Sequence, residues 1–263
     1  MKIGFFDSGL GGIVIMKAVA AALPQYDYEF YGDTLNLPFG DKTEEEIFKL
    51  TKAGMEALFA KDCLINIVAC NTSSAESMRK LQDTFLPAGY PDRRILGVII
   101  PAVEELIDKQ AKKVILLATK RTIESGKYER ELKNRHHENV ELYGVATPAL
   151  VPLIEAGNIE TATKEAARVL LDLMASVGEV DSVVLGCTHY TLLRPALQQA
   201  FPEVTFVSQD EFVPHKLEAY LTAHPEHEQR LSRGGTRNIQ LTQDRQDYDQ
   251  IIAELLGGVY LPQ

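Results

Sequence analysis

The chain has 263 residues, 45% of them hydrophobic and 24% charged, an ordinary globular composition that buries about three-quarters of the unfolded surface without needing disulfides or metals. The net charge of −10 argues against nucleic acid or an anionic membrane as the main partner, since both need clustered Lys and Arg. No run is long enough for a transmembrane helix, Met1–Phe6 meets Asp7 too soon for a signal sequence, and three cysteines suit free thiols in a reducing cytoplasm.

Short apolar runs alternate with helical patterns along most of the chain. The first strand, Ile3–Phe6, ends in Asp7-Ser8 and Gly9-Leu10-Gly11-Gly12, with a helix over Gly12–Leu23. Strand Glu29–Tyr31 and helix Glu44–Ala60 follow, then strand Cys63–Ala69, which runs into Cys70-Asn71-Thr72 and a helix over Ser74–Thr84. Next come strand Arg94–Ile99, helix Ala102–Lys109, strand Lys113–Ala118 and helix Glu124–Lys133. Strand Val140–Gly144 and helix Thr161–Ser176 precede strand Ser182–Leu185, which leads into Gly186-Cys187-Thr188-His189. Helix Leu192–Ala200 and strand Val204–Val207 complete the pattern. Several strands are apolar without interruption, as in strands covered by helices on both faces. The alternation predicts an α/β fold with largely parallel sheets.

A faint internal duplication runs through this order. In both Ile65–Thr72 and Ser182–His189 an apolar strand ends in a small residue, a cysteine and two polar residues. Upstream, Lys2–Phe6 followed by Asp7-Ser8 is echoed by Lys113–Ala118 followed by Thr119-Lys120. Two related half-chains account for both echoes, although α/β proteins also make strand ends alike without duplication.

Cys70 and Cys187 therefore sit at strand carboxyl ends just before helices, where open α/β sheets bind ligands. A helix amino terminus favours the thiolate and lowers a cysteine pKa from about 8.5. A single cysteine is more often a small buried hydrophobe, and Cys63, at the start of an apolar strand, suits that role. Asn71, Thr72, Thr188 and His189 fall where caps and backbone amides can hold a carboxylate. The glycines after Asp7 and Ser8 would let a small anionic ligand approach the backbone closely, while Asp7 can equally serve only as a helix N-cap. Val14 breaks the dinucleotide fingerprint, and no P-loop Lys-Ser/Thr pair is present. His136-His137 and His224-x-x-His227 lack further ligands at metal spacing and read as solvated surface, so no metal site is expected. No lysine sits in a Schiff-base context. Asp33 and Glu155 are candidate helpers that read equally well as loop or helix structure.

At these residues the chain resembles glutamate racemase, within the wider aspartate/glutamate racemase superfamily. The resemblance rests on Asp7–Gly12, Tyr31-Gly32-Asp33-Thr34, Pro38-Phe39-Gly40, Ala69–Ala75, Ala118–Ile123, Leu150–Glu155 and Leu185–Tyr190, in order over residues 1–210. It implies a cofactor-independent enzyme interconverting L- and D-glutamate for bacterial peptidoglycan, cytoplasmic and homodimeric. Cys70 and Cys187 are then the acid/base pair on opposite faces of the substrate, Cys70 acting on D-glutamate and Cys187 on L-glutamate, with Asp7 and His189 assisting the adjacent thiols. Asp7-Ser8, Phe39-Gly40, Asn71-Thr72 and Thr188-His189 match the substrate-binding pairs. The implied fold is two pseudo-twofold-related α/β domains, 1–97 plus 210–263 and 98–209, with the active site in the cleft between them.

Three positions depart from the family pattern. Phe39 replaces a usual tyrosine and loses its hydroxyl, Thr191 replaces a proline, and Pro101 is followed by Ala102 rather than glycine. These departures bear on side-chain preference, so aspartate specificity stays open. From the residues alone, so do two other classes. A Cys-His hydrolase would use Cys187 with His189 but leaves Cys70 unexplained. An amino-acid-binding module would need neither thiol.

Overall fold

The computed structural model describes residues 1–243 and 248–256. Among the described residues nine strands form two sheets: β1 (Lys2–Asp7), β2 (Tyr28–Gly32), β3 (Cys63–Val68), β4 (Arg94–Gly97), β5 (Lys113–Ala118), β6 (Glu141–Ala146), β7 (Ser182–Gly186), β8 (Thr205–Val207) and β9 (Arg237–Leu241). The first sheet runs β4-β3-β1-β2-β9 and the second β6-β5-β7-β8. Every pairing among the described residues is parallel. Read from β2, the first sheet has the neighbour order β2-β1-β3-β4, and the second repeats it as β6-β5-β7-β8. Cys70 follows β3 and Cys187 follows β7, the equivalent strand of each sheet.

The strands read as continuous apolar runs are buried throughout, as in β3 and β7, because helices cover both faces. One cluster of buried side chains runs from Ile3 and Phe5 on β1, through Val103 and Leu106, to Val114 and Leu116 on β5. The two sheets are thus joined through a shared core. No helix among the described residues is long and apolar enough to cross a membrane.

Several element limits differ from the sequence expectation for identifiable reasons. The helix placed at Ala102 begins at Ile99, because Pro101 falls in the first turn, where its missing N–H costs nothing. The single helix expected over Glu124–Lys133 is two, Lys120–Glu124 and Lys127–Asn134, split at Gly126 with φ 58°. Helices Leu150–Glu155 and Gln209–Ala223 and strand β9 were not anticipated. The two C-terminal histidines are also not alike: His224 is half-buried, but His227 is buried, packed beneath Tyr220 rather than solvated.

Helix Glu44–Ala60 starts with a capping box between Thr43 and Glu46 and packs Gly54 directly against Phe6 of the first sheet. A Cβ there would lie 2.3 Å from Cδ2 and Cε2 of the Phe6 ring, which has no exposed surface. Alanine gains up to about 1 kcal/mol in helix propensity, but overpacking a fixed ring costs about 1–3 kcal/mol. Gly54→Ala is therefore expected to lower the urea unfolding midpoint, and an unchanged or higher midpoint would refute this packing argument.

Candidate active site

The carboxyl ends of the two sheets enclose a cavity of about 100 Å³. Ser8, Phe39, Gly40, Cys70, Asn71 and Thr72 line it from the first sheet's side, and Cys187, Thr188 and His189 from the second. Asp7 is not in its wall. It lies behind, with no exposed surface, its Oδ2 accepting the Gly12 N–H at 2.9 Å and the Thr188 hydroxyl at 3.3 Å. Burial pushes the Asp7 carboxyl above its ordinary pKa, while the His189 charge and the Gly12, Ser8 and Thr188 donors pull it back.

The two thiols are held differently. Cys70 caps helix Asn71–Lys80, its Sγ accepting from Ser73 N at 3.5 Å and lying 3.3 Å from Ser8 Oγ. A helix amino terminus was expected to lower its pKa, but burial and the nearby Asp7 charge push the thiol up to about 11 against the Ser8 and Ser73 hydrogen bonds. Desolvation outweighs the helix end here. Cys187 precedes a 3₁₀ turn, Thr188–Leu193, and makes no cap bond. Its Sγ lies 3.7 Å from His189 Nδ1, and His189 Nε2 lies 3.1 Å from Glu155 Oε1. Burial alone would lower the His189 pKa, but its bonds to Cys187 and Glu155 hold it well above the ordinary histidine value.

The glycines after Asp7 play a part other than the one expected of them. None lines the cavity. A Cβ on Gly11 would lie 2.6 Å from Thr188 Oγ1, and one on Gly12 would lie 2.8 Å from Asp7 Cβ. Gly11 thus leaves room for the second sheet's side to approach, and Gly12 for the helix to start against Asp7, rather than for a ligand in this cavity to reach the backbone.

Of the other candidates, Asp33 accepts from Asn36 and Thr242 and organises its own loop, outside the cavity wall. Glu155 joins the site through His189. The site list read from sequence lacks Thr119, Lys120 and Thr147, which also line the cavity. The duplication was a usable signal for the first two, since Thr119-Lys120 repeat Asp7-Ser8. Thr119 Oγ1 lies 2.9 Å from Thr72 Oγ1, and Arg121 pairs with Glu76 at 2.8 Å, so hydrogen bonds and charge tie the two sides below the cavity. Asn71 Oδ1 accepts the Tyr128 hydroxyl at 2.9 Å, which leaves its buried Nδ2 without a protein partner and able to donate to a ligand.

Cys63 provides an internal control for thiol reactivity. It has no exposed surface, and burial and the Glu29 charge push its thiol up to about 12. Iodoacetamide is expected to label Cys70 and Cys187 first and slowly, with protection by bound ligand. Peptide mapping that finds Cys63 modified first would reverse the assignment of reactive and structural thiols.

Compared with known proteins, the chain is 37% identical over 238 residues to a glutamate racemase of Paracoccus denitrificans, covering 86% of this chain and 87% of that one. It is 33% identical over 260 residues to a glutamate racemase of Aquifex aeolicus, covering 98% and 94%. Its fold is similar to the crystal structure of a glutamate racemase isoform from Bacillus anthracis, with TM-score 0.84 and 26% identity over 99% of this chain and 98% of that one. Residues 17–209 match the family model for Asp/Glu/hydantoin racemases. The paired cysteines at equivalent strand ends thus stand in a chain that belongs to the Asp/Glu/hydantoin racemase family.

Proposed function

We propose that this chain is a cofactor-independent glutamate racemase in which Cys70 and Cys187 exchange protons with opposite faces of the substrate Cα. The observation that carries this reading is that the two thiols line one cavity from equivalent strands of the two sheets. Racemisation removes a proton from one face and returns one to the other, which a single fixed base cannot easily do. Cys187, beside His189 and Glu155, takes the proton from L-glutamate, while Cys70, with Ser8 and Asp7, donates from the other face. The roles reverse for D-glutamate. Donors around the α-carboxylate must stabilise the carbanionic state, and Ser8, Asn71 Nδ2, Thr72 and Thr188 supply them. Phe39 contributes its backbone and its ring, which packs against Phe6 with centroids 6.3 Å apart. Gly40 brings the backbone beside Thr119.

The same reading makes the enzyme a cytoplasmic homodimer that supplies D-glutamate for peptidoglycan. It divides the chain into 1–97 plus 210–263 and 98–209, supported by β9 joining the first sheet; residues 244–247 and 257–263 of that division lie outside the described residues. The Cys187–His189–Glu155 line also has the order of a cysteine hydrolase triad, but that chemistry leaves Cys70 without a task.

A chiral assay with L-glutamate and L-aspartate, without added cofactor, tests the substrate. Faster turnover of glutamate is expected, and preference for aspartate would overturn the specificity. Cys70→Ser and Cys187→Ser should each cut kcat at least about 100-fold in both directions. Near-normal turnover in either variant sinks the two-base mechanism. In deuterated water the D product from L-glutamate should carry deuterium at Cα, while residual L-glutamate at early times carries little.

The pH profile follows from Glu155. Its carboxylate raises the His189 pKa, so Glu155→Gln lowers it and His189 loses its proton at lower pH. The alkaline limb of kcat/KM should shift toward acid in that variant. An unshifted limb would remove the His189–Glu155 pair from the reaction.

A further inference from the structure

We propose that His224, Glu226 and His227 form a binding site for a divalent transition metal of the Zn²⁺ class, separate from the racemase cavity. The segment His224-Pro225-Glu226-His227 joins helix Gln209–Ala223 to the short helix Pro225–Glu228. Its tight turn brings one donor atom from each of the three side chains within 4.8 Å of the others. Glu226 Oε1 lies 3.0 Å from His224 Nδ1 and 3.8 Å from His227 Nδ1. A tetrahedral zinc ion with bonds of about 2.0–2.1 Å separates its ligand atoms by about 3.4 Å. The carboxylate–imidazole spacings bracket that value, and the two imidazole donor atoms lie within 4.8 Å of each other.

Two imidazoles and one carboxylate select Zn²⁺, Co²⁺, Ni²⁺ or Cu²⁺ over Mg²⁺ or Ca²⁺, and they leave a position for water. His227 is buried and lies parallel to the Tyr220 ring, and its Nδ1, 3.2 Å from the Tyr220 hydroxyl, exchanges that contact for the ion on binding. One ligand is therefore fixed in place, while His224 and Glu226 reach solvent, where an ion arrives. Arg94 and Arg230 lie near enough to His227 for their charges to act on its imidazole. Arg94 and Arg230 also repel a cation. Opposing them are Glu226 and, lining an adjacent groove of about 340 Å³ beside Pro225, Glu218; Glu228 in the same groove is already paired with Arg233.

The location separates this site from catalysis. Arg94 opens β4, and Tyr26, whose hydroxyl donates to Glu228, precedes β2. The cluster thus lies at the amino ends of the first sheet, whereas the cysteines follow carboxyl ends. A metal there clips the junction of two helices and does no chemistry on substrate.

Titrating the metal-free full chain with Co²⁺ as the spectroscopic probe, and Zn²⁺ as competitor, tests the site. A single equivalent should bind with ligand-field absorption, without a thiolate charge-transfer band, and be displaced by Zn²⁺. His224→Asn and Glu226→Gln, both at solvent-reaching positions, should each weaken binding at least about tenfold and leave metal-free racemisation unchanged. Absence of saturable binding overturns the proposal. So does a thiolate band lost in Cys70→Ser or Cys187→Ser, or an affinity indifferent to both His224→Asn and Glu226→Gln.

Discussion

Asp7 carries its carboxylate at the end of β1 with no exposed surface, and the site is arranged around holding it there. A buried carboxylate without partners would cost several kcal/mol. It is held by an N–H from its own helix, at Gly12, and by the hydroxyl of Thr188 from the far side of the cavity. Its charge raises the proton affinity of Cys70, and the imidazole of His189 is its main electrostatic compensation. Groups on opposite walls are therefore titrated jointly, and a change to one is felt by the others. The absence of a side chain at Gly11 is the steric condition for the approach of Thr188, and at Gly12 for the approach of the helix start to Asp7.

Symmetry of backbone and asymmetry of environment coexist at the two thiols. The sheets repeat one neighbour order, and each cysteine leaves the same strand of that order. Around Cys70 the partners are hydroxyl and backbone groups with a carboxylate behind them, whereas Cys187 faces an imidazole backed by Glu155. A repeated scaffold puts two groups on opposite faces of a ligand, and divergence of neighbours lets each be tuned separately.

Much of this was legible in the sequence, because apolar strands ending in small and polar residues are local signals. The strand–helix order, the paired cysteines and the polar residues beside them come from such signals, whereas Phe39 and Gly40 came from the family resemblance. What was misread depends on tertiary context. The Gly9–Gly12 loop looks the same whether a ligand or another part of the chain approaches it. The helix end before Asn71 favours a thiolate, but no local pattern reports the burial that reverses the sign at Cys70. His227 was read as solvated, and only its place beneath Tyr220 buries it. Strand β9, Arg-Asn-Ile-Gln-Leu, has no continuous apolar run, and only Ile239 and Leu241 on one face pack, partly buried, against the core. It becomes a strand because β2 offers it an edge.

That last pairing carries a consequence for how the chain is made. Strand β2 at Tyr28–Gly32 meets β9 at Arg237–Leu241, and the loop after β2 is tied down by Thr34 to Gln243 and by Asp33 to Thr242. Ribosomes add about 5–20 residues per second, so roughly 10–40 s separate the synthesis of these partners. Throughout that interval the nascent first sheet presents β2 as an open edge, the kind of surface that recruits strands from neighbouring chains. Crowded polysomes expose this fold to mispairing at a point the finished protein no longer reveals.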